Sequence, residues 1–237
     1  MKKLAFLALS ALATAAMAVQ PVSPSAITIH SGATSIQTVS ITGTPVVNTS
    51  NSASDALQNL ASNSGRVDIG GISIQQAFTQ RGSVSNTALN KDDFANQNIS
   101  SNAGVVDVGS KGLSVQQTAL TDSNVSNKAG GTSATAIQNL ASNNDKVDIT
   151  GTSFQLVSAT NSSVSNEASG RNALATQNLS SNFGKVMVAG LSYQATSLSG
   201  AIVVNLAKGT NSHAAQNIAS NDACNEPRDP CPGCSNH

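Results

Sequence analysis

Apolar and polar residues alternate in short stretches that return along the 237-residue chain at a nearly fixed distance. Three kinds of stretch recur in the same order. The first is Val67-Asp68-Ile69, a turn, then Ile72-Ser73-Ile74-Gln75. It returns at Val106 to Val108 with Leu113 to Gln116, Val147 to Ile149 with Thr152 to Gln155, and Val186 to Val188 with Leu191 to Gln194. An early copy is Ile27 to Ile29 with Ser35 to Gln37. The second is Val84 to Ala88, repeated at Val125 to Ala129, Val164 to Ala168 and Val203 to Ala207, with a weak first copy at Val46 to Asn48. The third is Ala-x-Gln-Asn-(Leu/Ile)-(Ala/Ser)-Ser-Asn. It begins at Ala56, Ala95, Ala136, Ala175 and Ala214.

A period of two predicts strands. It puts Val84, Asn86 and Ala88 on one face, Ala56, Gln58 and Leu60 on one face, and Val67 and Ile69 opposite Arg66 and Asp68. The alanine-rich third stretch could compete as helix, but it is short and ends in Ser-Asn before turn residues. Gly65, Gly104 and Gly184 then suit turns that need a positive φ. Gln58, Gln97, Gln138, Gln177 and Gln216 lie 39, 41, 39 and 39 residues apart. The longer step comes from two extra residues in the turn Gly109 to Gly112, where a stack tolerates them without loss of register.

This period predicts an all-β fold, a β-solenoid or cross-β stack of five repeats of about 39 residues. The repeats run 26–63, 66–102, 105–143, 146–182 and 185–221, within a body spanning 26–222. Residues 1–18 read as a cleaved signal peptide: Lys2 and Lys3, an apolar run from Leu4 to Ala15, then Ala16-Met17-Ala18. The apolar run is shorter than the roughly 20 residues of a membrane span. Residues 19–25 form a short N-terminal segment, and 223–237 a tail with Cys224, Cys231 and Cys234.

In such a stack, equivalent side chains sit about 4.8 Å apart. Gln58, Gln97, Gln138, Gln177 and Gln216, with Asn86, Asn127, Asn166 and Asn205, are then expected to form amide ladders, in which each amide donates to one layer and accepts from the other. That lets polar groups be buried yet satisfied. Asp68, Asp107 and Asp148 would form an acidic column, offset by Arg66, Lys146 and Lys185, with Met187 replacing the acid in the last copy. This column reads as surface solubility rather than a metal site.

Composition narrows the function. There is no Trp and one Tyr, and charged residues make up 10% with a formal net charge of zero. A conventional aromatic-rich core is therefore unavailable, and no basic surface exists to neutralise phosphates, which excludes nucleic-acid steering. The calcium-binding Gly-Gly-x-Gly-x-Asp repeat is absent. Thr150-Gly151-Thr152 has no matching pair in other repeats, so no ice-binding column is expected. His30, His213 and His237 mark no recurring position. Nothing groups acids, bases and nucleophiles as a catalytic site requires. No enzyme activity, cofactor, metal or small-molecule substrate is expected. The tail's Cys231-Pro232-Gly233-Cys234 leaves three readings open: a local disulfide or recognition tag, a metal clip with His237, or intermolecular crosslinking.

The five Gln-Asn stretches, the Val-Ser-Asn-x-Ala stretches and Cys231 to Cys234 together resemble bacterial functional amyloid subunits, in particular the Fap-type fimbrial family, and are curli-like in logic. This chain lacks the long variable linkers between repeats of that family, and its repeats are about twice the length of those in curli. The resemblance implies secretion, passage through an outer-membrane apparatus, and self-assembly with other fibre subunits into extracellular fibres of the biofilm matrix. The competing expectations are a monomeric exported β-solenoid acting as adhesin or ligand-binding module, and an exported polysaccharide-active enzyme on a β-helix.

Overall fold

A computed structural model describes residues 26–51, 55–89 and 92–222. Residues 1–18, expected to be a signal peptide, the 19–25 segment and the cysteine tail with Cys231 and Cys234 lie outside the described residues. The described residues form a parallel β-solenoid of five layers and contain no helix.

Layer one comprises β1 (Ile27–Ile29), β2 (Thr34–Thr42), β3 (Pro45–Ser50), β4 (Ala56–Leu60) and β5 (Asn63–Ser64). Layer two holds β6 (Val67–Ile69), β7 (Ile72–Gln80), β8 (Ser83–Ala88), β9 (Phe94–Ile99) and β10 (Asn102–Ala103). Layer three holds β11 (Val106–Val108), β12 (Leu113–Thr121), β13 (Asn124–Ala129), β14 (Thr135–Leu140) and β15 (Asn143–Asn144). Layer four holds β16 (Val147–Ile149), β17 (Thr152–Thr160), β18 (Ser163–Ser169) and β19 (Leu174–Leu179). Layer five holds β20 (Val186–Val188), β21 (Leu191–Ser199), β22 (Ile202–Lys208) and β23 (His213–Ile218).

Each strand pairs only with its counterparts above and below. The sheets are β1-β6-β11-β16-β20, β2-β7-β12-β17-β21, β3-β8-β13-β18-β22, β4-β9-β14-β19-β23 and the short β5-β10-β15. The last is continued upward by single bridges from Asn143 to Asn182 and from Asn182 to Asn221. Register follows the sequence repeat. Val106 pairs with Val67 and Leu113 with Ile72, so the two extra residues at 109–112 stay within the turn. The strand opening at Ile72 runs to Gln80, beyond the Gln75 that alternation marks. Its second half buries Ala77 and Thr79, whose small or polar side chains give little hydrophobic signal.

Corners are made by single residues of positive φ. Gly65, Gly104 and Gly184 have φ of 106°, 121° and 99°, as expected. Two other corners use left-handed backbone in every layer, largely without glycine. Ala61, Ser100, Ala141, Ser180 and Ala219 have φ of 48° to 51°, and Arg81, Asp122 and Asn161 have 49° to 52°. Isolated, such a residue costs on the order of 1 kcal/mol or more. Here the layers above and below fix the corner.

The core is three narrow columns. Val67, Ile69, Val106, Val108, Val147 and Ile149 fill one end of the cross-section. Val84, Leu120, Val125, Leu140, Val164 and Leu179 fill the centre. Where the third and fourth sheets converge, nearly every core residue is alanine, as at Ala88, Ala95, Ala129 and Ala136. Side chains longer than a methyl would force these sheets apart, which explains a core built with so few aromatics.

Candidate functional site

The strands place the expected amides directly over one another. Gln97 Nε2 donates to Gln58 Oε1 at 2.8 Å, Gln138 to Gln97 at 2.8 Å, and Gln177 to Gln138 at 2.7 Å. Gln216 continues the column onto Gln177. In Gln58, Gln97, Gln138 and Gln177 the amide also donates sideways to a backbone carbonyl, as from Gln138 to Ser165 O at 3.1 Å. Gln97, Gln138 and Gln177 are fully buried, so the ladder satisfies groups that water does not reach.

The asparagine column of the second stretch donates in the opposite sense. Asn48 Nδ2 donates to Asn86 Oδ1 at 2.7 Å, Asn86 to Asn127 at 2.8 Å, Asn127 to Asn166 at 2.9 Å and Asn166 to Asn205 at 2.9 Å. All nine expected ladder residues lie in these two columns, with Asn48 as an additional lower member.

Two more ladders were missed by the period-two reading. Asn98, Asn139, Asn178 and Asn217 each donate to the asparagine below, beginning with Asn98 to Asn59 at 2.9 Å. Asn63, Asn102, Asn143 and Asn182 each donate to the asparagine above, ending with Asn182 to Asn221 at 2.9 Å. Alternation assigns Asn59 to the outer side of its strand, yet its counterparts Asn98, Asn139 and Asn178 are buried. The usable signal was the presence of Asn at both positions in all five copies. A fifth amide column, Gln37, Gln75, Gln116, Gln155 and Gln194, does not form a ladder. Gln116 and Gln155 donate across the interior to Asn143 and Asn182, both at 2.9 Å. Their Oε1 atoms have no protein partner.

Among the described residues the stack ends in two open faces. At the lower face, the Gln58 and Asn59 ladders end in amide N–H groups, while the Asn48 and Asn63 ladders end in carbonyl oxygens. At the upper face the order reverses: Gln216 and Asn217 present oxygens and Asn221 an N–H, while the Asn205 amide, which donates to the Ala175 and Ala215 carbonyls, keeps the direction open in which Asn166, with the two equivalent carbonyl partners, also reaches the next asparagine. Apolar side chains become exposed at both ends, including Ile36, Val47 and Leu57 below, and Tyr193, Ile202 and Val204 above. Among the described residues no further strand pairs with β1 to β4 from below or with β20 to β23 from above.

On the outer surface Asp68, Asp107 and Asp148 stack in register, with Met187 above them. Arg66 Nε lies 3.1 Å from Asp68 Oδ2. Burial, followed by the charges of Asp148 and Asp68, pushes the Asp107 carboxyl above its ordinary pKa, against the opposing pull of Arg66 and Lys146. Among the described residues no three His, Cys, Asp or Glu side chains are grouped to hold a metal ion. Lys128 and Lys208 both reach Glu167, at 3.7 and 3.4 Å, across exposed surface.

These features define a repeat β-solenoid whose most ordered chemistry is its amide ladders. Comparison of the chain with protein-family models, curated proteins and solved structures finds no match.

Proposed function

We propose that this chain is a secreted structural subunit that self-assembles end to end into extracellular, amyloid-like fibres of the biofilm matrix. The observation that carries the reading is the pair of open faces. Each exposes a full set of parallel strand edges, ladder ends and apolar side chains. Unpaired strand edges are templates for further pairing, and monomeric solenoids normally cover theirs. A second copy would extend the same 4.7–4.8 Å repeat that runs through the molecule, which is the spacing of cross-β fibres. The export signal read in residues 1–18, the Fap-type resemblance and the absence of a grouped catalytic constellation in the sequence agree with this role. Other fibre subunits and an outer-membrane secretion apparatus are the partners that the resemblance implies.

One observation favours a second reading, a monomeric exported solenoid acting as adhesin or ligand-binding module. Pro45 begins β3 on the lower edge, and proline is a common means of blunting strand edges. The experiment is assembly of the purified chain. Self-assembly gives thioflavin-positive fibres with meridional diffraction near 4.7 Å. A monodisperse monomer at high concentration supports the adhesin instead.

A further inference from the structure

The two faces are chemically complementary, not merely open. If the lower face of one copy continues the upper face of another with strands parallel and in register, all four ladders close. Gln58 and Asn59 N–H groups meet the Gln216 and Asn217 oxygens. Asn205 and Asn221 N–H groups meet the Asn48 and Asn63 oxygens. Every donor finds an acceptor, and each residue meets its own kind, as in the interior.

Layer one breaks the rules of the other layers at two points on this face. At the start of the second stretch, each layer sends a backbone N–H down to the layer beneath. Ser83 N donates to Thr44 O, Asn124 N to Gly82 O, Ser163 N to Ser123 O and Ile202 N to Ser162 O, at 3.3, 3.1, 2.9 and 2.9 Å. The layer-one residue in this column is Pro45, which has no N–H.

The second point is the turn before the long strand. Gly71, Gly112, Gly151 and Gly190 occupy this column, and a Cβ built on any of them overlaps a backbone carbonyl of the layer below. The layer-one residue is Ala33, as shown by the equivalent bonds Ile72 N to Ala33 O and Leu113 N to Gly71 O. Its methyl is therefore directed to where the Ala189 and Gly190 carbonyls of a docked copy would lie.

We propose that the partner of the lower face is the upper face of a second copy, joined head to tail in register, and that Ala33 and Pro45 keep this junction weaker than the contact between internal layers. The proposal rests on the self-assembly reading above. It adds a single polarity to the fibre, and makes junctions the places where fibres break.

The test uses two face variants and one repair variant. Gln58→Glu/Asn59→Asp keeps the oxygens that Gln97 and Asn98 use but removes the donors of the lower face. Asn205→Asp/Asn221→Asp does the same for the upper face. Each variant alone is expected to sediment as a monomer, because every head-to-tail contact then lacks half its donors. An equimolar mixture is expected to form a one-to-one complex and stop, since one unaltered pair of faces remains. Dimerisation of either variant alone means that like faces join, and overturns the polarity. Ala33→Gly/Pro45→Ser installs residue types that other layers use at these positions. Regaining one backbone hydrogen bond alone should lower the critical concentration for assembly about fivefold. No change would overturn the role of Ala33 and Pro45. Should the amide variants lose the cooperative unfolding of the wild type, this repair variant carries the test. If wild type and repair variant both stay monomeric, the self-assembly reading itself fails and the junction with it. Wild-type fibres alongside dimers of single-face variants overturn the junction alone.

Discussion

Gln138 lies directly above Gln97, with its Nε2 2.8 Å from the Gln97 Oε1 across 41 residues of chain. Gln177 stands in the same relation to Gln138 at 2.7 Å. Replacing Gln138 by Leu therefore leaves two buried groups unpaired, the Gln97 oxygen and one Gln177 N–H. At about 1–3 kcal/mol for each such group, Gln138→Leu is expected to destabilise the fold by about 2–6 kcal/mol and to slow the proposed fibre growth. Lys128→Ala, which removes one exposed contact to Glu167, should stay within about 0.5 kcal/mol. Denaturant midpoints of the two variants decide the matter, and equal effects would remove the ladders as a source of stability.

Gly151 tests how closely the layers pack. A Cβ at this position would overlap the Gly109 and Gly112 carbonyls of the layer beneath. Backbone cannot move aside as a flexible side chain can. Gly151→Ala should cost more than the roughly 1 kcal/mol typical of a glycine whose φ alone is special. Gly32, with φ of 84° and nothing within 4 Å of its built Cβ, is the control for that smaller figure. Thermal unfolding of both alanine variants gives the comparison.

Asp107 sets a pH dependence. Its carboxyl is raised chiefly by burial and then by Asp148 and Asp68. The folded chain therefore holds this proton at a pH where the unfolded chain, with a carboxyl pKa near 4, has lost it. Stability should fall as pH rises from about 4 through the raised folded value, and level off above it. Asp107→Asn removes that part of the decline and should stabilise the fold at neutral pH. Urea midpoints measured across the acidic range check the sign; a variant less stable than wild type at neutral pH contradicts it.

Asp93 offers a stabilising change. It is 1% exposed, and neither carboxylate oxygen has a partner among the described residues. The same column carries Ala134 and Ala173 in the next two layers, both buried. Burial, and then the neighbouring Asp55 and Asp92, push this carboxyl up as well. Asp93→Ala should raise stability at neutral pH by about 1 kcal/mol or more, read as a higher unfolding midpoint, with the gain shrinking in acid as the wild-type carboxyl takes up its proton.

The stack was legible because every copy keeps Gln at one position while its neighbours drift. In a solenoid, a buried amide is tolerated only if the next layer offers the same amide at the same height. That requirement fixed the layer count, the register and the Gln58 and Asn86 columns in advance. Asn59 and Asn63 are equally regular, but period-two alternation assigns burial by face and cannot anticipate that both sides of the third stretch are enclosed near a corner. The corner at Ala61 carries no glycine signal, and the corner at Arg81 carries glycine only in the first and last layers, at Gly43 and Gly200. Their left-handed backbone comes from the layers above and below, which no local stretch of sequence encodes. Ile72 and Ile74 point outward while Ser73 and Gln75 point inward, so hydrophobicity alone would turn the longest strand inside out.

The opposed donation of the ladders has an electrostatic consequence. In an α-helix the peptide dipoles add along the axis and leave partial charges at the ends. Here the amide dipoles of the Gln58 and Asn59 columns point one way, and those of the Asn48 and Asn63 columns the other. Along the axis they offset one another. A filament of the kind proposed would therefore carry no net axial dipole from its side-chain ladders, and its two tips would differ in bonding pattern and not in charge.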